Sequence, residues 1–256
     1  MVRPKKHLGQ HFLHDENIAR KIISFIPDIP RLILEIGPGT GILSKYLLAD
    51  PGHDTYFMEI DREASSFLLE KYPDIKDRLI IGDFLDQDFE QFNGPMALVG
   101  NFPYNISSQI IFKALEHRDK IASVVGMFQK EVAERIIHGP GGKTYGILSV
   151  LTQAFYETEY LFTVGESVFI PPPKVKSAVI RLTRNSRIHL DCDEDLFFRL
   201  VKTAFNQRRK TLRNALKPLT EGLPGAGKLP FPDKRAEQLT VEDFIHLAAI
   251  LQQIIV

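Results

Sequence analysis

The sequence predicts a doubly wound, mostly parallel α/β sheet followed by a small all-helical tail. Three observations carry this. Short apolar runs alternate with helical patterns from residue 31 to 130, the sign of strand–helix–strand units. A glycine-rich turn follows the first apolar run. Beyond Arg184 the alternation gives way to helical periodicity alone.

Leu32-Ile33-Leu34-Glu35-Ile36 reads as a buried strand, followed by the glycine turn and a helix from Ile42 to Leu48. Tyr56-Phe57-Met58-Glu59-Ile60 is a second strand, and Arg62 to Tyr72 a second helix. Leu79-Ile80-Ile81 gives a third strand, and Met96-Ala97-Leu98-Val99-Gly100 a fourth, with a helix from Ser107 to Leu115 behind it. Ser123 to Phe128 is a fifth, running into a helix near Lys130. Glu157 to Thr163 and Ala178 to Leu182, joined by a Pro-rich turn, are two more strands placed to close the sheet with an antiparallel edge. After Asp191-Cys192-Asp193-Glu194-Asp195, helices are expected over Leu196–Phe205, Thr211–Leu216 and Val241–Gln253, the last capped by Thr240. The expected division is a sheet domain over 1–185, with an N-terminal arm over 1–20, and a small helical domain over 186–256.

At 256 residues, 44% hydrophobic and 25% charged, the chain suits one large and one small globular domain. No apolar run approaches the roughly 20 residues of a membrane span, and no secretory signal is visible, so the expectation is a cytoplasmic protein. The single cysteine, Cys192, permits no intramolecular disulfide. One cysteine and scattered histidines give no metal-ligand spacing, so no metal is expected. Net charge is zero, but Lys174 to Lys217 holds 12 Lys/Arg against 4 Asp/Glu. Such a basic block suggests a polyanion touching one side of the molecule.

Glu35-Ile36-Gly37-Pro38-Gly39-Thr40-Gly41 lies between the first strand and helix, where α/β sheets bind ligands. Its spacing is G-x-G-x-G. A dinucleotide fingerprint needs G-x-G-x-x-G, so a pyrophosphate cradle is disfavoured. S-adenosyl-L-methionine, a nucleoside without phosphate, fits better. Glu59 ends the second strand and can accept both ribose hydroxyls. Asp83 ends the third and can accept from an adenine amine, with Phe84 as an apolar wall.

The fourth strand ends in Asn101-Phe102-Pro103-Tyr104. The N6 amine of adenine is a poor nucleophile because its lone pair is delocalised into the ring. An amide oxygen from Asn101 and a backbone carbonyl beside Pro103 can accept its two N–H bonds and free that lone pair. Pro103 stiffens the turn, and Tyr104 can stack on the purine for roughly 1–3 kcal/mol. The chemistry is positioning with electrostatic help.

This tetrapeptide resembles the Asn/Asp-Pro-Pro-Tyr/Phe motif of amino-methyltransferases, with Phe102 where those often have Pro. Four further segments look like the bacterial small-subunit rRNA adenine dimethyltransferase family: His7-Leu8-Gly9-Gln10-His11-Phe12-Leu13, Phe128-Gln129-Lys130-Glu131-Val132, Pro171 to Val179 and Phe205 to Leu212. The resemblance spans nearly the whole chain. It implies a Rossmann-like class I methyltransferase sheet and dimethylation of two adjacent adenosines in a hairpin loop near the 3′ end of 16S rRNA, within the pre-30S subunit. It also implies that His11 and Leu13 line the cofactor site with Gly37, Gly39, Gly41, Glu59, Asp83 and Asn101. It gives Phe169 a stacking role opposite Tyr104. Lys174 and the cluster Arg208, Arg209, Lys210 and Arg213 would then meet RNA phosphates, with the protein a monomer. Two other readings stay open: a 23S rRNA methyltransferase of the resistance type, and a ribosome-assembly factor acting mainly by binding.

Overall fold

The structure, a computed structural model, describes residues 2–255. Contacts divide the chain into two compact units. The first joins the chain up to Ala133 with Glu157–Arg184. The second joins Glu134–Tyr156 with the chain from Asn185 onward. The expected boundary at 185/186 therefore falls beside an observed one but misses an excursion: Glu134–Tyr156 packs with the C-terminal helices.

The first unit opens with a short strand β1 (Phe12–Leu13) and helix α1 (Glu16–Ile23). Asp15 caps α1 by accepting the N–H groups of Asn17 and Ile18 at 2.8 and 3.0 Å. Strands β2 (Leu32–Ile36), β3 (Asp54–Glu59), β4 (Leu79–Ile81), β5 (Met96–Asn101) and β6 (Ile121–Gln129) follow. Helices α2 (Ser44–Leu48), α3 (Arg62–Lys71) and α4 (Ser107–Glu116) connect them. Helix α5 (Lys130–Ile137) and α6 (Ile147–Phe155) come next, then β7 (Tyr156–Val164), β8 (Phe169–Ile170) and β9 (Ser177–Arg184). Seven strands form one sheet in the order β4-β3-β2-β5-β6-β9-β7. The first five are parallel, and β9 runs antiparallel to β6. Strands β1 and β8 form a separate antiparallel ribbon.

Central strands of a parallel sheet are covered on both faces and so read as continuous apolar runs. Here Ile33, Ala97, Val99, Val125, Met127 and Val179 build one core with Ala19 and Ile22 of α1 and Leu47 of α2. A smaller cluster, Phe57 with Leu68 and Ile75, seats α3. The strand order reverses between β2 and β5, so the crevice at their carboxyl ends is the natural ligand position.

The second unit is helical. Its longest helices are α7 (Glu194–Asn206) and α10 (Val241–Ile255), with short turns α8 (Leu212–Ala215) and α9 (Lys217–Thr220) between. Helix α7 buries Leu196, Phe197, Leu200, Val201, Ala204 and Phe205, a stripe at helical spacing. Phe205 meets Phe244 of α10 and Tyr145 with ring centroids 5.8 and 6.0 Å apart. Thr240 and Asp243 cap α10 reciprocally at 3.1 and 3.0 Å. Helices α1 and α6 and the short α9 are absent from the expectation.

Candidate active site

The carboxyl ends of β2, β3, β4 and β5 frame a cleft open to solvent. Its lining includes Gly37 and Gly39 from the glycine turn, Glu59 and Ile60 at the end of β3, Asp83 and Phe84 after β4, and Asn101 to Ile106 from the end of β5 onward. Leu8 to Phe12 of the N-terminal arm complete it. All four motifs read from the sequence therefore meet in one place.

Each side chain is fixed from below. Glu59 is buried at 3% exposure. Its two oxygens accept the backbone N–H groups of Gly39 and Asp61, both at 2.9 Å. Burial raises its carboxyl above the ordinary value, and those two N–H groups oppose the rise. Asp83 accepts the Leu85 N–H at 2.9 Å. Gly39 has φ +58°, and a Cβ there would lie 2.8 Å from the Phe12 ring; only glycine gives both the turn and the close approach of the arm. Beneath the turn, Glu35 is buried and accepts the Ser44 hydroxyl at 2.6 Å.

The turn from Asn101 to Tyr104 is held from three sides. The Asn101 side-chain nitrogen donates to the His11 carbonyl at 2.7 Å. That fixes the amide and leaves Oδ1 as the acceptor. Pro103 O accepts from Ile106 N–H and Tyr104 O from the Ser107 hydroxyl, both at 3.2 Å. Among the described residues the Phe102 carbonyl has no such partner, which makes it the acceptor next to Pro103. The Phe102 ring is buried in a slot between Gly100 and Gly126; a Cβ on Gly126 would come within 2.1 Å of it. An aromatic residue in this motif thus depends on glycine in the neighbouring strand. The Tyr104 hydroxyl bonds to the buried Ser177 hydroxyl, and its ring stacks on His11 with centroids 5.3 Å apart.

The arm is latched by groups the sequence reading missed. Lys5 forms an ion pair with Asp61, Gln10 donates to Asp61 at 3.2 Å, and Asn105 donates to the His7 carbonyl at 3.3 Å. Burial works against the Asp61 carboxylate, but Lys5, Gln10 and the Glu63 N–H outweigh it and hold its pKa low. The only sequence signal was Asp61 itself, a helix-capping residue two positions after Glu59.

Four expected site residues lie elsewhere. Leu13 is 2% exposed and faces the core; residues alternate along an extended arm, so Phe12 faces the cleft and Leu13 cannot. Gly41 packs against Leu68 and Tyr72 and is not in the cleft wall. Phe169 pairs with Leu13 across the β1–β8 ribbon and is also 2% exposed, so it offers no face to a base. Arg208 donates to Glu237 at 2.9 Å and to the carbonyls of Gly142 and Tyr145 at 2.7 and 3.0 Å; it ties its own unit together. Lys174, Arg209, Lys210 and Arg213 are exposed, with Arg213 paired to Asp233 at 3.0 Å.

The cleft wall carries two carboxylates and, among the described residues, no lysine or arginine. That is unsuited to a diphosphate and suited to a nucleoside bearing a sulfonium. Over residues 1–253 the chain matches the family described as Ribosomal RNA adenine dimethylase. It belongs to that family. The dimethylase is 54% identical over 255 residues to a Ribosomal RNA small subunit methyltransferase A from Parabacteroides distasonis, covering 99% of this chain and 96% of that one. It is 57% identical to the protein of the same description from Flavobacterium johnsoniae, covering 96% and 95%. Among solved structures it resembles a dimethyladenosine transferase from Plasmodium falciparum, with TM-score 0.77, 28% identity and coverage of 93% and 96%. It also resembles the 23S rRNA methyltransferase ErmE, with TM-score 0.70, 25% identity and coverage of 94% and 99%. The chain is an rRNA adenine dimethyltransferase, and S-adenosylmethionine is its methyl donor. Among the described residues no helix is long and apolar enough to cross a membrane.

Proposed function

We propose that this dimethylase modifies the N6 amines of two adjacent adenosines in a hairpin loop near the 3′ end of 16S rRNA, acting as a cytoplasmic monomer on the pre-30S subunit. When bound, S-adenosylmethionine supplies an electrophilic methyl group. Glu59 accepts the ribose hydroxyls, Asp83 the adenine amine, and the backbone of Gly37, Gly39 and His11 closes around the cofactor. At the target, Asn101 Oδ1 and the Phe102 carbonyl accept the two N6 hydrogens. They hold the amine and draw its lone pair out of conjugation with the ring. Tyr104, braced by Ser177, stacks on the purine. Lys174, Arg209, Lys210 and Arg213 meet RNA phosphates, and a loop substrate spares the cost of extruding a base from a duplex.

The observation that carries this reading is the Asn101–His11 hydrogen bond, which leaves an amide oxygen as the free acceptor at the end of β5. The test is methyl transfer from labelled cofactor onto unmodified 30S and 50S particles. Label on 16S rRNA alone is the expected result. Label on 23S rRNA would replace this reading with the resistance-type activity. Tight 30S binding without transfer would replace it with an assembly role.

A further inference from the structure

The loop from Ile170 to Lys176 carries two large exposed apolar side chains, Ile170 at 58% and Val175 at 45% exposure. Between and beside them stand Lys174 and Lys176, both exposed and, among the described residues, without an ion-pair partner. Isolated exposed aliphatics need no explanation. These differ because the loop is pinned at one end to the N-terminal arm and at the other to the Asn101–Tyr104 turn. The His11 ring donates through Nδ1 to the Pro171 carbonyl at 2.7 Å. At the other end, Ser177 holds the Tyr104 hydroxyl. Three consecutive prolines, Pro171 to Pro173, stiffen the span.

The β1–β8 ribbon sets which way Ile170 faces. Phe12 and Ile170 are direct partners in the antiparallel pair, and direct partners share a face. Phe12 lines the cleft and covers Gly39. Ile170 therefore extends the same apolar wall outward to solvent, while Leu13 and Phe169 share the opposite, core-facing side.

The geometry points to this loop as the seat for the nucleotides flanking the target adenosine: a base face on Ile170 and Val175, and the adjoining phosphates on Lys174 and Lys176. This rests on the RNA-methylating reading above. An aliphatic surface bordered by lysines matches what a splayed single strand presents, an apolar base face beside an anionic phosphate.

The test is site-directed crosslinking in a Cys192→Ser background, with a thiol-linked photocrosslinker placed at Val175→Cys or Ile170→Cys. Both positions are exposed, so the substitutions leave the fold intact. Each labelled protein is bound to unmodified 30S particles with S-adenosylhomocysteine and irradiated, and the 16S rRNA is mapped by primer extension. The expected crosslinks fall on nucleotides immediately flanking the methylated pair. Lys174→Glu/Lys176→Glu should raise KM for the particles severalfold and leave cofactor affinity unchanged. Crosslinks to a ribosomal protein, to distant rRNA, or none at all would overturn the proposal. Unlabelled wild-type protein methylating the same particles separates that outcome from failure of the functional reading itself.

Discussion

Asn101 and His11 are 90 positions apart in the chain, yet the Asn101 side-chain nitrogen donates to the His11 carbonyl at 2.7 Å. The amide proposed to act in catalysis is thus oriented by the N-terminal arm, which is itself latched through Lys5, Gln10 and Asp61. Asn101→Asp keeps an acceptor toward the target amine but sets a carboxylate oxygen against the His11 carbonyl. Methyl transfer should fall about ten- to a hundredfold, the 1–3 kcal/mol of a broken buried hydrogen bond. Single-turnover kinetics on 30S particles measure it. A wild-type rate in the Asp variant would show that the amide N–H does not set the geometry.

The proposed roles make Tyr104 matter differently at the two steps. After one transfer N6 carries a single hydrogen, so Asn101 and the Phe102 carbonyl can no longer both be satisfied. Stacking must then hold the base on line. Tyr104→Ala should accumulate N6-monomethyladenosine, and Ser177→Ala, which frees the Tyr104 hydroxyl, should do so more weakly. Time-resolved nucleoside mass spectrometry reads both. Equal slowing of the two steps would assign Tyr104 to initial capture of the base.

Glu35 gives a pH signature. Burial pushes its carboxyl from the ordinary 4.5 up to about 8; the Ser44 hydroxyl opposes the shift and the nearby Glu59 adds to it. Between those values the folded state holds a proton that the unfolded chain releases, so stability falls as pH rises through the window. Glu35→Gln keeps an acceptor for Ser44 and removes the titration. Without cofactor, its Tm should increasingly exceed that of the wild type from pH 4.5 to about 8, with roughly 2–4 °C for each kcal/mol. Parallel Tm curves would place the proton elsewhere.

Two neighbouring arginines should separate cleanly. Arg208→Ala removes the tie to Glu237, Gly142 and Tyr145. It should cost on the order of 1 kcal/mol of stability, since the group is a third exposed. Arg209→Glu/Lys210→Glu should leave Tm unchanged but weaken 30S binding with a shallower salt dependence. An unchanged salt slope would remove this cluster from the phosphate contacts.

The sheet was legible because buried parallel strands are apolar throughout and stop at glycine turns: Leu32 to Ile36 and Met96 to Asn101 match their expected runs closely. Helix α6 was not read, although Ile147 to Phe155 carries its apolar residues at helical spacing with Ser149, Thr152 and Gln153 on the other face. In the site, strand-end carboxylates and the Asn101 turn follow from position in the topology. Three of the four displaced site residues are choices between adjacent residues. Leu13 or Phe12, and Phe169 or Ile170, differ by one position in an extended chain, which flips a side chain to the other face. Arg208 and Arg209 look alike in sequence, and only packing turns one inward. The arm's latch was invisible because Lys5 and Asp61 meet only in the folded chain.

The most direct test of the central claim is nucleoside mass spectrometry of 16S rRNA from unmodified 30S particles, after incubation with the protein and methyl-deuterated S-adenosylmethionine. The account predicts N6,N6-dimethyladenosine carrying two labelled methyls on each of two adjacent adenosines near the 3′ end, and none with Asn101→Ala although that variant still binds the particles. Label on another nucleoside, or undiminished dimethylation by Asn101→Ala, would contradict it.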